Sequence, residues 1–434
     1  MNQPALRAEQ LAVLVLAAFA GAAVAGRPEI ALLLVAATAL LIALGLLREA
    51  AFAASIAFAV ALPYFPMGDG VEADPVIPGA LLPAAVGLAV AVPYGASLLT
   101  RRSVIRPSRT QVLLAVVVAM VAFLTLASRE KEAVTSLPNG SLLVGIAAYL
   151  AAWRFPDPTR WLFPSVVALA VLLGFGAAEW TADPSERIGW FTGYPILYSA
   201  LVVGLLPAAM VWARARSGAL LGFIVAASVI AVLLSQTRSA WLAVVMMALM
   251  LVALLVRQRL AGWIALFVAG ALAIGVGVAT SDDLSEVVSS RLSSQILTTD
   301  PVTHREFSYG YTWERFSEQP LFGRGHAGAL KEDIEERTGL NASDNGFLSL
   351  AGDLGLLGIV VALLPVAVAV GTLRRHWARP EAAPAAVAMA FGLVGILIVT
   401  LFFDSHYWPQ SAALMFGMTG VLLAHGRLER QADG

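Results

Sequence analysis

Arg238 stands in Ser235-Gln-Thr-Arg-Ser239, a short polar break between two membrane-length apolar runs, Gly218 to Leu234 and Ala240 to Val256. A guanidinium cannot shed its charge, so holding one at the end of a helical hairpin is costly unless it meets an anion. Two other arginines occupy comparable positions. Arg187 precedes Gly189-Trp-Phe-Thr-Gly193, and Arg305 opens a helical pattern that brings Tyr309, Trp313 and Phe316 near one face. Three guanidinium forks suit a diphosphate, since each offers paired charge-assisted hydrogen bonds that a lysine does not reproduce. Their ordinary alternatives are snorkelling to lipid phosphate or pairing with an acid such as Glu186 or Glu306. The aromatic face beside Arg305 suits lipid headgroups or a stacked sugar.

The candidate base is Asp344, in Ser343-Asp-Asn-Gly-Phe347 immediately before an apolar run. A carboxylate made more basic by partial burial takes a proton from a hydroxyl. The same residues also read as a helix start, with Ser343 or Asp344 as N-cap and Asn345-Gly346 as a turn. His304 and His326 are alternative bases, the latter in the glycine-rich turn Phe322-Gly-Arg-Gly-His-Ala-Gly328. Asp404 and His406 end a later apolar run on the same side and are placed to line the same cavity. Asp69, Glu72 and Asp74 lie in a loop whose glycines and proline read as a turn rather than a metal site.

The elements that must position these groups are membrane helices. The chain of 434 residues is 59% hydrophobic and 13% charged, with mean hydropathy +0.80. A bilayer core of about 30 Å takes roughly 20 apolar residues per helix, and such runs recur from end to end. This predicts an all-α polytopic integral membrane protein of about 12–14 transmembrane helices with one large outer helical loop. Fourteen apolar segments are legible: 10–26, 29–47, 50–64, 76–99, 110–127, 140–153, 161–179, 194–212, 217–235, 239–256, 261–279, 345–372, 383–403 and 408–425. The first has no convincing cleavage site and reads as a retained helix. Residues 1–280 then hold transmembrane helices including the Arg238 hairpin, 281–344 the outer loop, and 345–434 the C-terminal transmembrane helices. Within the loop, Val287 to Leu297, His304 to Ser317 and Lys331 to Thr338 read as short helices.

Alternating the loops between two sides sorts the charges. One side, with both termini, collects 17 basic and six acidic residues; the other holds 11 basic and 23 acidic. By the positive-inside rule both termini are cytoplasmic and Arg187, Arg238, Arg305 and Asp344 face outward. An outer face this acidic repels anions on average, so an anionic substrate needs specific arginines to make a local positive cavity. No Walker loop, dinucleotide fingerprint or His-x-x-x-His pair is present, and the formal net charge of −1 gives no sign of nucleic-acid binding. The absence of cysteine excludes disulfides and thiolate metal sites.

These residues resemble the O-antigen ligase and polymerase family of bacterial envelopes. Arg187-Ile-Gly-Trp-Phe-Thr-Gly-Tyr-Pro195 is similar to one family stretch, with Tyr194 in place of the usual Asn, and Thr237-Arg-Ser-Ala-Trp-Leu-Ala243 is similar to the family's hairpin. Arg305 with Trp313, Pro320-Leu-Phe-Gly-Arg-Gly325, Asp344-Asn-Gly-Phe-Leu348 and Gly355-Leu-Leu-Gly358 follow in the family's order. The family usually has His-Asn where this chain has Asp344-Asn345, so either Asp344 takes over the base role or catalysis rests mainly on leaving-group stabilisation.

The resemblance implies a glycosyltransferase of the inner membrane, without cofactor or metal, its active site facing the periplasm. The donor would be a glycan on undecaprenyl diphosphate and the acceptor a sugar hydroxyl of lipid A–core, with membrane lipids as the other partners. Arg187, Arg238 and Arg305 would bind the diphosphate, Arg238 and Arg305 acting with Asp344 in catalysis. Asn345, Trp313, Tyr309 and His326 are candidate substrate contacts. A polymerase of the same family, or a lipid-linked oligosaccharide transporter, is the alternative; a transporter should show related halves or mid-bilayer charges, and no clear internal repeat is visible.

Overall fold

The computed structural model describes residues 50–64, 81–99, 137–184, 186–257, 299–321, 323, 345–404 and 407–432. The expected segments 10–26, 29–47, 110–127 and 261–279, and the short loop helices around 287–297 and 331–338, lie outside the described residues. Among those described, eleven α-helices and no strand are found. They are α1 (Ala50–Val60), α2 (Leu81–Leu99), α3 (Leu137–Ala152), α4 (Leu162–Ala182), α5 (Pro195–Arg214), α6 (Gly218–Leu234), α7 (Arg238–Arg257), α8 (Thr299–Glu318), α9 (Gly346–His376), α10 (Pro384–Thr400) and α11 (Pro409–Ala432). The protein is thus all-α, as its hydropathy requires: in lipid a lone segment satisfies its backbone polar groups only as a helix.

Three of the described helices are long and apolar enough to cross a membrane: α4 with the 3₁₀ turn before it (Pro158–Ala182), α5, and α9. Helices α3, α6 and α10 are shorter but comparably apolar. The apolar runs at 194–212, 217–235 and 239–256 become α5, α6 and α7 within one or two residues. Helix α5 lies between α4, α6 and α10, and α10 in turn packs on α7 and α9. Both α5 and α10 are buried along almost their whole length. They cross where Gly392 meets the carbonyl of Gly204, a close approach that small residues permit between membrane helices. Helix α11 packs chiefly on α3.

From α4 to α7 and from α9 to α11 successive helices reverse direction, so the connections described gather at two ends. One end joins the stretch after α1, the 187–194 loop, the α6–α7 turn and the α10–α11 link. Tyr64 N–H donates to the Phe191 carbonyl, Ile188 N–H to Leu234 at 3.4 Å, and Ser141 Oγ to the Tyr407 carbonyl at 2.6 Å. The opposite end carries Arg154, Arg160, Arg214, Arg216, Arg374, Arg375 and Arg379, with Arg375 bound to Glu429 at 3.1 Å. These seven arginines are all among those that the alternating loops assign to the basic side.

The long run at 345–372 is not one straight helix. It extends to His376 and breaks at Gly355, which adopts φ 63°, ψ −142°. The end of α8 is seated in this break. Leu356 N–H donates to the Pro320 carbonyl at 2.7 Å and Gly323 N–H to Gln319 at 2.9 Å, while Gly323 itself lies against the Asp353 carbonyl with φ 63°. An L side chain at either glycine is disfavoured in φ and meets backbone. Gly323→Ala and Gly355→Ala are each expected to cost about 2 kcal/mol or more, read as a lower Tm of the detergent-purified protein. An unchanged Tm would show that the seat is not tight.

Candidate functional site

The α6–α7 turn is built to hold its shape. Only Ser235, Gln236 and Thr237 separate two helices, and Gln236 takes φ 53°, the one non-glycine residue with positive φ among those described. That conformation costs free energy and persists only where its surroundings enforce it. Here Trp241 Nε1 donates back to the Val232 carbonyl at 3.1 Å, tying the first turn of α7 to α6. The Ser235 and Ser199 hydroxyls lie 2.6 Å apart, fixing the turn to α5. Arg238 follows as the first residue of α7, with its side chain exposed.

Arg187 reaches the same turn from the other side. Its Nε donates to the Ser235 carbonyl at 3.0 Å and its Nη2 to Thr237 Oγ1 at 3.4 Å. The structure thus brings Arg187 to the turn that leads into Arg238 and leaves it half-buried rather than extended into solvent. The loop behind Arg187 is held by a residue that sequence reasoning passed over. Glu179, near the end of α4 and buried, accepts hydrogen bonds from Gly189 N–H and, at 2.8 Å, from Phe191 N–H. Gly189 has φ 104°, and a Cβ there would collide with the Tyr198 ring. A buried acid among Phe175-Gly-Ala-Ala-Glu-Trp180 was the available signal, because such a charge needs partners.

Tyr194, at the position where the resembled family has Asn, sits in an aromatic group. Its ring lies 5.6 Å from Trp408, 5.9 Å from Trp190 and 6.1 Å from Phe403, and Trp408 also meets Tyr64 at 5.4 Å. The group joins the Arg187 loop to the α10–α11 link.

The start of α9 corrects the expected cap. Asn345, not Ser343 or Asp344, is the N-cap: its Oδ1 accepts from Phe347 N–H and Leu348 N–H, both at 3.1 Å. An N-cap oxygen reaches the second and third helical amides, and helix α9 starts at Gly346, so the cap falls one residue later than expected. One turn on, Ser349 Oγ donates to Asp404 Oδ1 at 2.7 Å, and Tyr407 donates its hydroxyl to Asp353 Oδ2 at 2.7 Å. Asp353 and Asp404 are both buried. Burial, reinforced by the carboxylates of Asp353 and Asp404, pushes the Tyr407 hydroxyl well above the usual tyrosine range, so it remains a donor. Asp404 thus lies beside the first turn of α9, with its carboxylate buried and engaged there.

Asp344, His326 and His406 lie outside the described residues, as do Asp69, Glu72 and Asp74. Arg305 and His304 lie on α8, which packs against α9. On that helix Tyr311 and Thr312 are buried, Tyr309 is half-buried, and Trp313 is 64% exposed with its ring 5.4 Å from Phe316. The aromatic stripe expected beside Arg305 therefore presents Trp313 outward, with Tyr309 and Phe316 half-buried.

Nothing among curated proteins matches the chain. A family model does match, over residues 223–363, and it is described as O-antigen ligase. The matched stretch runs from α6 through the Arg238 turn and α8 into α9; Arg187 and Glu179 precede it. Residues 223–363 therefore match the O-antigen ligase family model, in line with the resemblance carried by the Arg238 hairpin and by the motifs from Pro320 to Gly358.

Proposed function

We propose that the protein is an O-antigen ligase, moving a preassembled glycan from undecaprenyl diphosphate to a sugar hydroxyl of lipid A–core at the periplasmic face of the inner membrane. Arg187, Arg238 and Arg305 bind the donor diphosphate. As the bond between the anomeric carbon and the phosphate oxygen breaks, its electron pair leaves with undecaprenyl diphosphate, and Arg238 and Arg305 stabilise the growing charge. The acceptor hydroxyl attacks from the opposite face, giving inversion, and its proton passes to Asp344. Asn345, Tyr309, Trp313 and His326 are the proposed sugar contacts around this centre.

The observation that carries the reading is the anchoring of Arg187 to the Ser235–Thr237 turn, which sets two guanidinium-bearing segments side by side at one end of the bundle. The gathering of the other arginines at the opposite end supports an outward-facing site by the positive-inside rule.

Purified protein, reconstituted with a defined polyprenyl-diphosphate glycan and either lipid A–core or carrier-linked glycan, tests this. A product with the mass of glycosylated lipid A–core is expected. Elongated carrier-linked glycan would make the protein a polymerase instead, and the absence of any new glycosidic bond, with movement of donor across the vesicle, a transporter. Transfer should also proceed unchanged in EDTA; strong inhibition would point to metal-dependent transfer.

A further inference from the structure

We infer that Glu179 is a positioning residue for the donor site, setting Arg187 in register with Arg238 through the backbone between them. The inference rests on the clamp reading proposed above.

The path is continuous. Glu179 ends α4, three residues before its terminus, and its carboxylate takes the amides of Gly189 and Phe191. These two amides converge on one carboxylate because Gly189 turns the chain at φ 104°. Arg187 is two residues upstream, and from that pinned loop its guanidinium reaches the Ser235 carbonyl and Thr237 Oγ1. Ile188 N–H, donating to Leu234, closes the same loop onto the end of α6. The acid thus holds one side of the loop while the guanidinium holds the other.

A buried carboxylate is costly in a membrane protein, and a loop alone could be fastened by neutral groups. What the carboxylate adds is two acceptor oxygens in fixed geometry, which define where the loop begins its reach toward the hairpin. Phosphate-clamping forks tolerate little displacement: a shift of about 1 Å costs on the order of a hundredfold in rate. Glu179→Gln keeps the shape but offers one acceptor oxygen and sets an NH₂ against the second amide.

The test is a double-mutant cycle on reconstituted glycan transfer, with Glu179→Gln, Arg187→Ala and the double variant, and amide hydrogen exchange across residues 187–193 in each. We expect Glu179→Gln to lower kcat/KM for the donor about tenfold to a hundredfold and to speed exchange at Gly189 and Phe191. Arg187→Ala should lower kcat/KM while leaving that exchange slow. The double variant should transfer no worse than Arg187→Ala alone, since Glu179 acts only through Arg187. Losses that multiply, or faster exchange with wild-type kinetics, would overturn the inference and make Glu179 a general stabiliser of the fold. Wild-type transfer by Arg187→Ala would reject the clamp itself, and the inference with it. Should the Gln variant not fold, Glu179→Asp keeps the charge, draws it back by one methylene and enters the same cycle.

Discussion

Arg238→Ala is expected to lower glycan transfer by about a hundredfold to a thousandfold, with folded yield and Tm close to wild type. The two halves of this expectation have separate grounds. The side chain is exposed at the first position of α7, so truncating it removes little packing. The turn beneath it is held by others, through Trp241 on Val232, Ser199 on Ser235 and Arg187 on Ser235 and Thr237. The loss is therefore catalytic, arising from charge left unneutralised on the departing diphosphate. Arg238→Lys should restore part of the rate, because a point charge remains while the bidentate fork does not. If Arg238 only anchors to lipid headgroups, Arg238→Ala will transfer glycan at nearly the wild-type rate, and the proposed clamp fails.

Substitutions at Asp344 should separate a base from a helix cap. As a base, Asp344→Asn removes the proton acceptor and is expected to lower kcat by about a hundredfold to ten-thousandfold, whereas Asp344→His restores activity. The histidine variant should lose rate as pH falls through the imidazole range, about 6.5, since only neutral imidazole accepts the proton. As a cap, Asn would serve as well as Asp. The structure sharpens this contrast by giving the cap to Asn345, so Asp344→Asn should leave stability untouched. A fully active Asn variant would shift the chemistry to leaving-group stabilisation alone.

The helices were legible because the membrane leaves the chain little choice. Lipid offers no partner for a backbone amide, so an apolar run of sufficient length becomes a helix and its polar flanks become the ends. That is why the runs at 194–212, 217–235 and 239–256 appear as Pro195–Arg214, Gly218–Leu234 and Arg238–Arg257. The same logic places Arg238 at a hairpin tip and sorts the arginines to two ends. Arg187 was legible as a candidate from its type and setting.

Other features depended on contacts that no periodicity encodes. The break at Gly355 lies inside an apolar run and exists because the Pro320–Gly323 turn is seated there, more than thirty residues away in sequence. The cap fell on Asn345 rather than Asp344 because the first helical amides, not composition, decide which side chain reaches them. Glu179 read as one acid at the end of a hydrophobic run until the loop folded back to present two amides to it. Sequence by itself determined an all-helical membrane protein, the ends of helices such as Pro195–Arg214 to within one or two residues, and which arginines were candidates, because hydropathy and charge act locally along the chain. Tertiary structure alone decided which turn Arg187 reaches, and which buried acid holds its loop, because hydrogen bonds are directional and close between segments whose distance in space the sequence does not fix.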